Sequence, residues 1–215
     1  MATTKNLFIT LALLFASATA CADLNSDIHH LQTRWAQVNY ELQGDPQLEA
    51  FEQLIAEAEK VTELYSSRAE AWIWSGIIKS TFAGAKGGLG ALKFAKASKK
   101  DLEKALELDA KALQGSAYTS LGTLYANVPG WPVGFGDSEK AEELLKQAIA
   151  INPDGIDSNY FYGKFLLTEK RYPEAREYLT KAQNAAPRVD RPLADAGRQK
   201  EIAAALANVN KKLKI

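Results

Sequence analysis

The chain has 215 residues, of which 47% are hydrophobic and 24% charged, an ordinary globular balance and enough length to bury a core without disulfide or metal staples. Lys plus Arg and Asp plus Glu number 26 each, so the basic excess that a phosphate backbone demands is absent, and no nucleic-acid partner is expected. One cysteine and two adjacent histidines, His29 and His30, supply neither a disulfide framework nor a metal-ligand set, so no metal site and no heme attachment is expected.

The first 22 residues form a separate object. Lys5 gives a positive end, Leu7 to Phe15 an apolar run broken only by Thr10, and Ala16 to Ala22 a small-residue exit, the layout of a cleaved signal peptide. The run is too short for a stable membrane span, and no later segment approaches the ~20 apolar residues that a span needs. Two processing sites overlap. Ala20-Cys21-Ala22 before Asp23 fits a small-x-small cut that releases a soluble chain. Cys21 after Ala18-Thr19-Ala20 is also similar to a bacterial lipoprotein box, with Ala18 where Leu is usual, which makes Cys21 a lipidation candidate. Either route removes or caps the only thiol, in keeping with an oxidising periplasm and an exported chain, soluble or anchored to the envelope membrane.

Residues 23–66 read as a degenerate helical hairpin, with helices near Asp27 to Leu42 and Pro46 to Leu64 joined at Gly44-Asp45-Pro46, and Trp35 and Phe51 in its core. Beyond it the chain repeats. "DSEKAEELLKQAIAINPDG" aligns with "RYPEAREYLTKAQNAAPRV", placing Ala141, Leu145, Ala148 and Pro153 each 34 residues before Ala175, Leu179, Ala182 and Pro187. The same register runs upstream through Leu102, Ala105 and Leu108, and through Ala58, Val61 and Leu64. Alternating with these helices are three that carry a glycine: "WIWSGIIK" with Gly76, "YTSLGTLYA" with Gly122 and "NYFYGKFLL" with Gly163. Gly and Ala at fixed helix positions let antiparallel helices approach closely while Leu, Tyr and Phe fill the remaining gap. Residues 190–215 read as a capping helix, with Ile202, Leu206, Val209 and Leu213 on one face and Lys200, Lys211 and Lys212 on the other.

This pattern resembles the tetratricopeptide repeat (TPR) family, best in Tyr162-Gly163, Leu166, Ala175, Leu179, Ala182 and Pro187, with Asn159 where the family has an aromatic. The preceding unit offers Tyr118, Leu121-Gly122, Tyr125, Ala141, Leu145, Ala148 and Pro153. The resemblance implies an all-α solenoid of antiparallel helix hairpins over residues 67–189, closed by the C-terminal capping helix. It also implies a concave binding face at Ile73, Ile77, Thr119, Thr123, Asn127, Tyr160, Lys164 and Thr168. The Lys and Asn pairs that clamp a peptide carboxylate in some members are replaced by Thr119/Thr123 and Tyr160/Lys164, which argues against a receptor for chaperone tails.

Two units are longer than the last. Gly163 to Ala175 takes twelve residues, whereas Gly122 to Ala141 takes nineteen and Gly76 to Ser98 twenty-two, which places insertions at about 127–137 and 82–97. Both are expected to leave one edge of the array as loops. "PGWPVGFG", from Pro129 to Gly136, is stiffened by its prolines. Its Trp131 and Phe135 have two readings, packing onto the neighbouring insertion around Leu89 and Phe94, or lining a site for a ligand or peptide. "GAKGGLG" lacks the Gly-Lys-Ser/Thr ending of a phosphate loop, so no nucleotide is expected there. Lys86, Lys93, Lys96, Lys99, Lys100 and Lys104 read as a solvated helix face on which an acidic partner could dock.

No nucleophile elbow and no histidine-centred triad is present, so no catalytic residue and no cofactor is assigned. The expected function is that of a non-enzymatic periplasmic scaffold binding a protein or peptide of the cell envelope through its concave face and insertion loops, compatible with a homo-oligomer. The alternative rests on a second resemblance: the long insertion followed by "GDSEKAEELLKQAI" is similar to the T component associated with tripartite ATP-independent periplasmic (TRAP) transporters, which implies a small-molecule-binding accessory protein.

Overall fold

A computed structural model describes residues 24–215, apart from the side chain at position 89. The expected signal peptide at residues 1–22 and the lipidation candidate Cys21 lie outside the described residues. Among the described residues nine helices follow one another: α1 (24–41), α2 (Asp45–Leu64), α3 (Ala69–Lys86), α4 (Gly88–Asp109), α5 (Ala112–Asn127), α6 (Ser138–Ile151), α7 (Ile156–Thr168), α8 (Tyr172–Asn184) and α9 (Pro192–Leu213), and no strand occurs among them. Helix starts follow local chemistry. Pro46, Pro173 and Pro192 sit in first turns, where a missing N–H costs nothing, and the Asp137 carboxylate caps α6 by accepting from the Lys140 backbone N–H at 3.0 Å. Pro153 and Pro187 fall in the turns that follow α6 and α8.

Helices pair in sequence order, and the closest pairs meet at a glycine. A Cβ added to Gly76 would stand 2.6 Å from Leu102 Cγ, one on Gly122 2.8 Å from Leu145 Cγ, and one on Gly163 2.8 Å from Leu179 Cγ. These are one contact in three hairpins, and the sequence gaps from glycine to leucine differ by the lengths of the two insertions. The first of them has an added tie, the Ser98 hydroxyl donating to Gly76 O at 2.6 Å where the other two hairpins carry alanine.

The apolar seam is continuous. The cluster of the first hairpin and the cluster of α3 to α6 share Ile77, Phe94 and Leu113, and Tyr125 joins the latter to the cluster of α5 to α9. Trp35 and Phe51 are buried, as are Ile202 and Val209 of the cap, while Lys200, Lys211 and Lys212 face solvent. One buried ion pair also crosses the seam, Lys79 Nζ to Asp101 Oδ2 at 2.8 Å, with the Ser75 hydroxyl donating to the same oxygen at 2.7 Å.

The two insertions differ in kind. Residues 82–97 are not a loop. They lengthen α3 and α4, and the reversal is confined to Gly87 and Gly88, whose φ of 61° and 62° only glycine adopts at little cost. Phe82 and Phe94 pack edge to face at 4.6 Å across that extension, under Lys86 and Lys93. The 127–137 insertion does remain non-helical after residue 127, because prolines and glycines cannot continue α5.

The array also curls until its ends touch. A Cβ on Gly197 of α9 would come within 2.4 Å of the Tyr40 ring of α1, the Arg191 guanidinium lies 5.1 Å over the Trp74 ring of α3, and Ala194 is buried in the core of the first hairpin. Residues from both ends therefore wall one interior space.

Candidate functional site

That space is a cleft of about 1360 Å³, lined by α1, α3, α4, α5, α7, the segment leading into α9, and α9 itself. Its volume exceeds the ~300–1,000 Å³ usual for a small-ligand pocket. Five of the anticipated concave positions line it: Ile77, Thr119, Thr123, Asn127 and Tyr160. Ile73 does not. It is fully buried in the α3–α6 core, because that face of α3 turns toward the hairpin partner α4. Lys164 and Thr168 are exposed but lie away from the lining.

The cleft is less polar than its residue names suggest. Ser80 and Thr81 donate to Ile77 O, Ser116 to Leu113 O and Thr123 to Thr119 O, all at 2.6–2.9 Å, and the Asn127 amide donates to Thr123 O at 2.8 Å. Such back-bonding satisfies the donor on its own helix and leaves mostly carbon facing the cavity. The turn into α5 adds Leu113 and Gln114 to the wall. Both have positive φ (46° and 57°), a conformation that costs a non-glycine residue about 1–2 kcal/mol, and Asn152 braces the turn by donating to Gln114 Oε1 at 2.9 Å.

Charge is concentrated where the ends meet. Arg198 Nε donates to Asp157 Oδ1 at 2.8 Å, and its guanidinium lies 4.5 Å over both Tyr160 and Phe161. Arg188 donates to Asp157 at 2.6 Å and to Asp195 at 2.7 Å. Burial alone would raise the Asp157 carboxyl, but Arg198 and Arg188 outweigh it and hold that group well below the usual carboxylate range. Trp35, 6.0 Å from Trp74, donates its indole N–H to Thr81 Oγ1 at 3.0 Å.

The 127–137 loop borders the cleft through Val128, Pro129 and Val133. It is internally braced: Val133 and Gly134 donate to Gly130 O, Gly136 to Pro129 O and Asp137 to Tyr125 O at 3.0–3.1 Å. Phe135 packs edge to face on Tyr125 at 5.4 Å, with Lys99 Nζ of the preceding hairpin 5.9 Å from its ring. Trp131 behaves differently. At 89% exposed it packs on nothing, which corrects the reading of both aromatics as a sealed edge.

Known proteins share this architecture. The tetratricopeptide repeat family model matches residues 133–209, the span in which the glycine–leucine spacing is shortest. The fold agrees over nearly the whole chain. The solved structure of TTC0263, a thermophilic TPR protein of Thermus thermophilus, gives a TM-score of 0.56 at 18% identity, over 91% of this chain and 95% of that one. The chain is an all-α helical repeat solenoid whose fold is similar to that of this TPR protein. Pseudomonas aeruginosa pilF aligns over 86% of this chain and 93% of its own at 16% identity, with a TM-score of 0.36. No curated protein matches in sequence. None of these findings bears on the transporter T component.

Much of the wall of this cleft escaped sequence reasoning: Gln32, Trp35 and Asn39 of α1, Trp74, and the arginines at 188, 191 and 198. A repeat pattern reports contacts between neighbouring units. The meeting of residue 40 with residue 197 is set by accumulated curvature, and Gly197 was its only local trace.

Proposed function

We propose that this protein is a non-catalytic interaction scaffold of the periplasm that holds a partner protein on its 127–137 loop and the adjoining rim of the cleft. One observation carries the reading, the 89% exposed Trp131 on a braced loop. A large aromatic left in water on a disordered tail would mean little. Here the loop's backbone hydrogen bonds fold it on itself, so tightly that a Cβ on Gly134 or Gly136 would collide with its own backbone, and such bracing lowers the entropic cost of presenting the indole. Val133, 57% exposed, enlarges the apolar surface beside it. Tryptophans placed this way are typical anchors of protein interfaces. The periplasmic address rests on the signal-like residues 1–22. Among the described residues no helix is long and apolar enough to cross a membrane.

In-cell crosslinking with mass spectrometry tests the scaffold reading. Trp131→Ala is expected to change stability by less than about 0.5 kcal/mol, because the side chain is solvated, and to abolish the crosslinks of the wild type. Crosslinks that survive the substitution unchanged would remove it. Cell fractionation with fatty-acid labelling of wild type and Cys21→Ser tests the address and the anchor.

A further inference from the structure

At the end of the cleft where the array closes, one cation makes no direct ion pair among the described residues, although carboxylates stand nearby. Arg188 and Arg198 are occupied by Asp157, Asp195 and Glu201. Arg191 makes no ion pair among the described residues, and its Nε–H is buried without an acceptor. The Trp74 indole beneath it is 3% exposed, and its Nε1–H is also without an acceptor. A buried donor left unsatisfied costs about 1–3 kcal/mol, so two at one place mark a site whose acceptor is supplied from outside. Burial, with Arg188 nearby, also pulls the Arg191 guanidinium below its ordinary value, the direction expected of a cation lacking a partner.

The remaining wall specifies the rest of the ligand. Ala83, Ala91, Leu92, Ala95 and Leu124 supply carbon, and the hydroxyls between them donate to their own helices. A peptide backbone lying there would find few donors for its carbonyls, whereas a hydrocarbon asks for none. Asp157, Asp190, Asp195 and Glu201 outnumber the three arginines by one, so a ligand reaching Arg191 can carry no more than a single negative charge.

We propose that the cleft binds an amphipathic monocarboxylate, its two oxygens accepting from Arg191 Nε–H and Trp74 Nε1–H and its hydrocarbon body lying along the α3–α4 wall. A carboxylate offers two acceptors to the two unsatisfied donors of this stacked pair, and charge-assisted bonds of this kind are the stronger class. The site goes beyond the scaffold reading and is separable from it, because Trp131 is not part of the lining.

Calorimetric titration of the delipidated protein tests the assignment with decanoate, decan-1-ol and acetate, all below any micelle threshold. Decanoate is expected to bind saturably at one per chain and at least tenfold more tightly than the alcohol, and acetate not detectably. Arg191→Met, which keeps the apolar stem, should weaken decanoate at least tenfold and leave decan-1-ol unchanged. Trp74→Phe, which keeps the ring and removes the N–H, should weaken decanoate severalfold. If Arg191→Met does not fold, Arg191→Lys takes its place with a severalfold loss expected. Absence of decanoate binding, equal binding of acid and alcohol, or a position-191 variant that binds decanoate as the wild type does would each overturn the proposal. Trp131→Ala should bind decanoate normally, so failure of the scaffold reading and failure of this one are told apart.

Discussion

Gly122 and Gly84 both lie inside helices, yet replacing each by alanine should move stability in opposite directions. Alanine gains about 0.8–1.0 kcal/mol over glycine in a helix interior from propensity alone. At Gly84 a Cβ meets nothing within 4 Å, so Gly84→Ala should be stabilising by about that amount. At Gly122 the added carbon would stand 2.8 Å from Leu145 Cγ and 3.2 Å from Ala141 O. Leu145 is fully buried and the carbonyl belongs to α6 itself, so the helices must part or the leucine must leave its rotamer. Overpacking of that kind costs about 1–3 kcal/mol, which outweighs the propensity gain and leaves Gly122→Ala less stable than Gly84→Ala by about the same 1–3 kcal/mol. Urea unfolding followed by circular dichroism at 222 nm measures both, and an unchanged m-value confirms that the comparison is between like transitions. In a Leu145→Ala background the penalty at Gly122 should shrink to a few tenths of a kcal/mol, since only the Ala141 carbonyl still crowds the site. Equal effects of the two single substitutions, or no coupling between positions 122 and 145, would refute the claim that these glycines are there for helix approach.

Three further outcomes follow from named contacts. Gly197→Val should push Tyr40 away, open the contact between the two ends, raise the radius of gyration in small-angle scattering and cost about 1–3 kcal/mol; an unchanged scattering curve would mean that closure does not depend on this contact. Asp101→Ala leaves the buried Lys79 with only Glu59 at 3.2 Å and should destabilise by about 3 kcal/mol, whereas Lys79→Met with Asp101→Leu should cost less than the single change; a double variant as unstable as the single one would speak against a charge penalty. Glu142 is held down to about 2 by hydrogen bonds from Lys146 and then Arg171, the latter reaching across from the start of α8. A depressed carboxyl stabilises the fold above its unfolded value and loses that contribution as pH falls through the folded one. The melting-temperature gap between wild type and Glu142→Gln should therefore be full at pH 6, narrow below about pH 4.5 and close near pH 2, and a gap that stays constant would contradict the assignment.

The two insertions show how far sequence reasoning reaches. Their lengths are legible from the repeat register, and the three equivalent glycine–leucine contacts agree with those lengths. Their conformations are not equally legible. "FAGAKGGLGALKFAKAS" reads as a loop for its glycines, yet Ala, Lys and Leu are strong helix formers and only the pair Gly87-Gly88 is needed to reverse the chain. "PGWPVGFG" reads as non-helical and is so, since proline forbids the alternative, but nothing in its composition tells Phe135, which packs, from Trp131, which does not. The left-handed turn at Leu113-Gln114 is likewise invisible, because neither residue favours it and only the packing around it makes it stay.

Periodicity and side-chain size, acting within one unit or between neighbours, were enough to specify the all-α class, the helix pairs, the glycines at their crossings and the capping helix. The folded chain was needed to learn that the array closes on itself, that Ile73 belongs to the core while Trp74 and Arg191 face a cleft, and that two donors there lack acceptors. Those properties come from small rotations summed over successive hairpins, and no short stretch of residues records such a sum.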